Sequence, residues 1–146
     1  MAQAETDFIR KVADRLHCAS IHLLRRLRVR DRESGVGPAQ LSALSVLVSG
    51  GPKSLTELAE IEQVKPPTMS RIVAGLQHSK YVTTQAVEGD GRRIRIAPTA
   101  KGEKVMWEGR QRRVELLASL IADLPAEDIS KLAEIAETMD RISRKL

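Results

Sequence analysis

The sequence predicts a mainly α fold with one small β-hairpin, α+β in class, and three observations predict it. Apolar residues recur every three or four positions through most of the 146 residues, which is the helical period. The helix formers Ala, Leu, Glu, Arg and Lys abound, while Phe8, Tyr81 and Trp107 are the only aromatic residues, too few for a β-sandwich or barrel. Between positions 81 and 97 the period changes to two around Gly89-Asp90-Gly91, as a hairpin requires.

The first element is a long helix over 6–33. Ile9, Val12, Leu16, Ala19, Leu23 and Leu27 lay an apolar stripe along it. Arg25, Arg26, Arg28, Arg30 and Arg32 crowd its C-terminal end, where cations suit the helix dipole, and Gly35 and Gly37 end it. Pro38 opens a second helix in the first-turn position proline favours, with Leu41, Leu44, Leu47 and Val48 inward, and Gly50-Gly51-Pro52 breaks it. Ser54-Leu55-Thr56-Glu57 reads as a capping box opening a short helix that carries Leu55, Leu58, Ala59 and Ile61.

Lys65-Pro66-Pro67 stops that helix. The residue before a proline is biased away from helical angles, so Lys65 and Pro66 are assigned to a turn. Pro67 then starts the next helix, whose core positions are Met69, Ile72, Val73 and Leu76. Strands over 81–87 and 92–97 flank a tight turn at Glu88-Gly89-Asp90-Gly91, with Ile94 and Ile96 on one face and Arg93 and Arg95 on the other. Thr99 is the N-cap of a long helix reaching about 122, with Val105, Leu117, Leu120 and Ile121 apolar. Leu124-Pro125 breaks it. A last helix repeats Ile129, Leu132, Ile135, Met139 and Ile142.

Composition excludes several classes. The length suits one domain, and 29% charged residues with ordinary apolar content argue against wholesale disorder. The single cysteine, Cys18, excludes an internal disulfide framework and a cysteine-rich zinc site. The first ten residues are polar and include Glu5 and Asp7, so no secretory signal is expected, and no apolar run nears the roughly 20 residues that span a bilayer. The expectation is a soluble, cytoplasmic protein with no membrane partner. No G-x-S-x-G, H-E-x-x-H, P-loop or dinucleotide glycine fingerprint occurs, so no catalytic residue, cofactor or metal is expected and the chain reads as a non-enzyme. His17 and His22 are spaced five apart, a poor helical interval for shared ligation, and His78 stands alone. The net charge of +5 suits a polyanionic partner.

Helix, helix, short helix, tight turn, helix, hairpin, long helix, helix is the order of a helix-turn-helix followed by a two-stranded wing. The second helix of such a pair fits the DNA major groove, about 12 Å wide, and its first turn faces the base edges. That turn offers Pro67, Thr68, Ser70 and Arg71, with Lys65 just before it. The hydroxyls suit bases or phosphates, Arg71 suits a guanine or a phosphate, and free amides at the helix start favour phosphate. The hairpin tip carries Arg92 and Arg93, the residue type that a narrow minor groove attracts, and Asp90 is placed to orient Arg92 by ion pairing.

The stretch 36–105 resembles the MarR (multiple antibiotic resistance regulator) family. The resemblance rests on Gln40-Leu41 with Leu44 and Leu47, on Leu55-Thr56-Glu57-Leu58-Ala59, and on Thr68-Met69-Ser70-Arg71 with Leu76 and Tyr81-Val82. Its most specific part is Asp90-Gly91-Arg92-Arg93 followed by Thr99 and Gly102. Two positions depart from the family pattern: Pro67 stands where a polar residue is frequent, and Ser79-Lys80 where a glycine commonly precedes the strand.

The resemblance implies an obligate homodimer with interlocked N- and C-terminal helices and a small-molecule or redox effector near the junction of dimer and DNA-binding regions. On that basis 1–37 and 103–146 are expected to be dimerisation helices around a winged helix-turn-helix at 38–102, in one intertwined domain. The apolar stripes of the terminal helices, more than a small winged helix can cover, point to the same dimer. The expected function is a sequence-specific double-stranded DNA-binding regulator, a repressor of a pseudo-palindromic operator released by its effector. The alternative is a protein-binding or architectural winged helix without an effector. Helix faces suggest an effector pocket lined by Leu16, Ala19, Ser20, Leu23, Leu44 and Leu47. Cys18 is a candidate redox sensor, set against the reading as a small buried residue.

Overall fold

The computed structural model describes residues 2–29, 31, 35–87 and 90–145, with the side chains of 2, 87 and 90–93 left aside. Its elements are α1 (Ala2–Leu27), α2 (Pro38–Gly50), α3 (Leu55–Ile61), α4 (Pro66–His78), β1 (Val82–Val87), β2 (Asp90–Pro98), α5 (Ala100–Ala122) and α6 (Ala126–Ser143). The chain forms two compact units, Met1–Arg113 and Val114–Leu146.

Helix α1 begins earlier and ends earlier than the expected range of 6–33. Ala2, Gln3, Ala4 and Glu5 are good helix formers and extend it backward. Arg25 and Arg26 fill the last turn, and residues 28–29 tighten into a 3₁₀ turn. Arg30 and Arg32 lie outside the described residues.

The core of the first unit is built by α2, α3, α4 and the base of the hairpin. Leu44, Leu47, Leu58, Met69 and Leu76 are fully buried and pack with Val73, Val82, Ile96 and Met106. Spacings of three and four on each helix bring these residues to one face, and the close packing of such a core locks the helices at fixed angles. Ile61, carried by the short helix with Leu58 and Ala59, and Ile94, on the strand face of Ile96, are exposed while those neighbours are buried. Ile61 is the last residue of α3, and Ile94 sits two residues tipward of the buried Ile96, where the strand has passed the edge of the core.

The capping box is present as expected. The Ser54 amide donates to Glu57 Oε2 at 2.7 Å, and the Glu57 amide donates to Ser54 Oγ at 3.2 Å. These bonds hold the Glu57 carboxyl below its ordinary pKa, the backbone hydrogen bond from Ser54 being the main cause.

Two boundaries differ from expectation. Helix α4 starts at Pro66, with Lys65 as its N-cap, so both prolines are helical. A first-turn residue needs no N–H, and two successive prolines satisfy that position at no cost in hydrogen bonds. Strand β2 starts at Asp90, because Val87 pairs with Asp90 across a register shift. Asp90 and Gly91 therefore belong to the strand and not to the turn; Glu88 and Gly89 lie outside the described residues.

Candidate nucleic-acid interface

The exposed side of α4 is made by the residues that the core does not take. Met69, Val73 and Leu76 are buried, so the intervening Pro67, Thr68, Ser70 and Arg71 stand on the opposite face, exposed, with Lys65 at the helix start. Among the described residues no hydrogen bond or ion pair engages the Thr68, Ser70 or Arg71 side chains, so their donors face solvent. The first turn of α4 carries no acidic residue.

The expectation of free amides at this helix start is corrected. Pro66 and Pro67 have no N–H, the Thr68 amide donates to the Lys65 carbonyl at 2.9 Å, and the Met69 amide donates to the same oxygen at 3.1 Å. Any anion reaching this end meets side-chain donors and the helix dipole, not bare backbone amides.

The turn between α3 and α4 is set by Gln63, at φ 54°. The Val64 amide returns to the Ala59 carbonyl at 3.0 Å and the Gln63 amide to Glu60 at 3.1 Å, which closes α3 in a Schellman motif. Helix α4 ends the same way. Lys80, at φ 60°, takes the left-handed conformation; its amide bonds Gln77 and the Tyr81 amide bonds Leu76, each at 2.9 Å. The place where the family favours glycine is thus filled by a lysine in glycine's conformation.

Thr99 and Lys101 hold that lysine turn from the far side. Thr99 Oγ1 donates to the Lys80 carbonyl at 2.7 Å, and Lys101 Nζ donates to the Ser79 carbonyl at 3.0 Å while lying 4.9 Å from the Tyr81 ring centre. Lys101 was not singled out from sequence, since nothing local relates it to Ser79.

The hairpin is antiparallel, pairing Thr84 with Ile96 and Gln85 with Arg95. Asp90, Arg92 and Arg93 lie on β2, and their side chains, with the Asp90–Arg92 pairing, lie outside what is described. Arg95 was placed on a strand face by alternation alone. It reaches back to the segment before α3, donating to the Pro52 carbonyl at 2.8 Å.

The residues suggested for an effector pocket sit in different surroundings. Leu44 and Leu47 are fully buried in the core, Leu16 and Ser20 are half-buried on α1, and Ala19 and Leu23 are exposed. Cys18 is exposed, not buried as a core residue would be. Among the described residues no group of three or more His, Cys, Asp or Glu could hold a metal, and no helix is long and apolar enough to cross a membrane.

A helix-turn-helix whose second helix exposes hydroxyls and cations, followed at once by a hairpin, defines a DNA-binding winged-helix protein. Comparison with known proteins agrees. The description MarR family matches residues 34–93. The chain is 33% identical over 129 residues to Mb0904, an HTH-type transcriptional regulator of Mycobacterium bovis, covering 88% of this chain and 90% of that one. It is 28% identical over 120 residues to the HTH-type transcriptional repressor MdtR of Bacillus subtilis, covering 77% of each. The solved structure of a MarR family protein from Bacillus stearothermophilus superposes with a TM-score of 0.79 at 20% identity, over 93% of this chain and 95% of that one. The chain belongs to the MarR family and is a DNA-binding transcriptional regulator, not an enzyme.

Proposed function

We propose that the chain works as a homodimer that seats its two α4 helices in successive major grooves of a pseudo-palindromic operator, as a repressor released by a small-molecule or redox effector. The single observation that carries the DNA reading is the division of α4 into a locked face, Met69, Val73 and Leu76, and an unpaired exposed face, Thr68, Ser70 and Arg71. A helix fixed by its core and free on its outer side presents the same side chains to each groove without reordering. Lys65 adds a cation at the same end, and Pro67 shapes the edge of that face. Arg92 and Arg93 supply a minor-groove contact from the hairpin, with Asp90 orienting Arg92. Such a regulator works where the DNA is, in the cytoplasm.

The dimer reading draws on apolar residues that each unit leaves exposed. On α1, Phe8 and Ile9 are 66% and 60% exposed, and α6 leaves Ile129, Leu132, Ile135, Met139 and Ile142 open. Soluble monomers rarely tolerate such stripes, so 1–37 and 103–146 are read as dimerisation helices around the winged region at 38–102. The repressor reading follows the name of MdtR. The effector reading places a ligand between Leu16, Ala19, Ser20 and Leu23 of α1 and the α2 region of Leu44 and Leu47, with Cys18 as the redox alternative. Binding there need only change the separation of two α4 helices about 34 Å apart, and a ten-fold preference for the released form corresponds to about 1.4 kcal/mol.

Footprinting on the DNA upstream of the chain's own gene tests the reading. The expected result is a two-fold symmetric protected site with half-sites about one helical turn apart. Arg71→Ala should cost about 1–3 kcal/mol on that site and little on random DNA. A footprint without two-fold symmetry, or an equal loss on both DNAs, overturns base readout by α4.

A further inference from the structure

We infer that Arg95 is a positioning residue for the wing, fixing the hairpin's angle against the helix-turn-helix by a hydrogen bond to the Pro52 carbonyl and an ion pair with Glu57 in the first turn of α3. The inference rests on the reading that the wing touches DNA.

The hairpin has two strands, and beyond them its backbone meets the segment before α3 at one residue pair. The Lys53 amide donates to the Ile96 carbonyl at 3.1 Å, and the Ile96 amide donates to the Lys53 carbonyl at 2.7 Å. This bridge and the burial of Val82 and Ile96 hold the hairpin at its base but leave its outer part free to rock about that base. Arg95 removes that freedom. Its Nη1 donates to the Pro52 carbonyl at 2.8 Å, next to the bridge, and its Nη2 lies 3.9 Å from Glu57 Oε1.

Both anchors are tied to the frame: Pro52 adjoins the Lys53–Ile96 bridge. Glu57 is held by the Ser54 capping box, and Leu58 and Ala59 beside it are buried in the core that fixes α4. A guanidinium spans a carbonyl and a carboxylate at once because its donors form a planar fork, which an ammonium lacks. Half-exposed, the Arg95–Glu57 pair adds little to stability. Its consequence is direction: a wing held at one angle meets DNA already oriented, and a rocking wing loses that ordering on binding.

The test is affinity of the full-length protein for a random-sequence duplex at low salt, by fluorescence anisotropy, with thermal melts alongside. Arg92→Ala should weaken binding. Arg95→Ala should weaken it by about three- to ten-fold, because the loosened wing must be ordered on binding, and should lower the melting temperature by no more than about a few degrees, as the loss of one net hydrogen bond does. Adding Arg95→Ala to a variant that lacks both wing arginines, Arg92→Ala with Arg93→Ala, should weaken binding no further, because Arg95 acts through the wing contact, whereas a general loss of structure would multiply the two effects. Arg95→Lys should resemble Arg95→Ala, since a lysine restores a phosphate contact but not the two-point grip. If Arg92→Ala binds normally, the wing contact itself fails and the role of Arg95 falls with it. If Arg92→Ala weakens binding but Arg95→Ala does not, or if the two effects multiply, or if Arg95→Lys binds as the wild type does, the positioning role alone is overturned.

Discussion

Gly102 lies in the first turn of α5, against the backbone where α4 gives way to the hairpin. A methyl group built on it would strike the Tyr81 carbonyl, an oxygen already held by the Thr99 amide at 3.0 Å. Backbone on both sides leaves no flexible side chain to give way. Gly102→Ala is therefore expected to lose about 1–3 kcal/mol of stability, read from the urea midpoint, and an unchanged midpoint would show that the approach relaxes freely. Asp31 is the second residue of this kind. It is buried, with its Oδ1 3.5 Å from Arg113 Nε. Burial pushes its carboxyl above the ordinary value, outweighing the downward pull of Arg113, Arg28 and Arg112. With the folded pKa raised, the folded chain binds the proton more readily than the unfolded chain. The stability linked to this group is thus complete below 3.8 and is lost as pH rises through the raised folded value. The stability of the wild type relative to Asp31→Asn should rise as pH falls from about 7 to about 4, and a fall would reverse the sign of the effect.

At the scale of the element, starts and stops obey different signals. The start of α3 was visible because a capping box is written in side chains three residues apart, and the start of α2 because proline marks a first turn. The way α3 and α4 close was not, because the sequence signal for a Schellman motif is glycine and here Gln63 and Lys80 take its place, at φ 54° and 60°. A side chain in the left-handed region is strained, and the packing on either side of the two turns holds it there. Gln63→Gly and Lys80→Gly should each stabilise the protein by about 0.5–1 kcal/mol, since relief of strain exceeds the added freedom of the unfolded glycine. Chemical denaturation measures this directly, and destabilisation by either change would mean the strain is not there. The hairpin shows the same division. Period-two alternation marked both strands, yet the pairing of Val87 with Asp90, which moves Asp90 and Gly91 out of the turn, depends on a register shift that no local pattern announces.

For the whole molecule, the unanswered apolar surface is the main fact. Phe8, Ile9 and Val12 on α1 in one unit, and Ile129, Leu132 and Ile135 on α6 in the other, are exposed, and these are the residues that the proposed dimer would cover. Deleting 126–146 should abolish the dimer in sedimentation experiments and leave insoluble protein. A soluble monomer of that truncation with normal DNA affinity would refute the assignment of α6 to dimerisation. The order of elements, the inward faces of α2 and α4 and the winged helix-turn-helix were determined by the sequence alone, because hydrophobic period, proline and cap residues act over a few positions. Only the tertiary structure decided what Arg95 and Lys101 do, since their partners Pro52 and Ser79 are 43 and 22 residues away and are met through side chains aimed at backbone carbonyls. It likewise decided that the Thr68 and Met69 amides close on the Lys65 carbonyl, so that α4, opening on two prolines, has no free first-turn amide. Periodicity assigns a residue to a face, but which partners lie opposite that face is settled by how the elements pack.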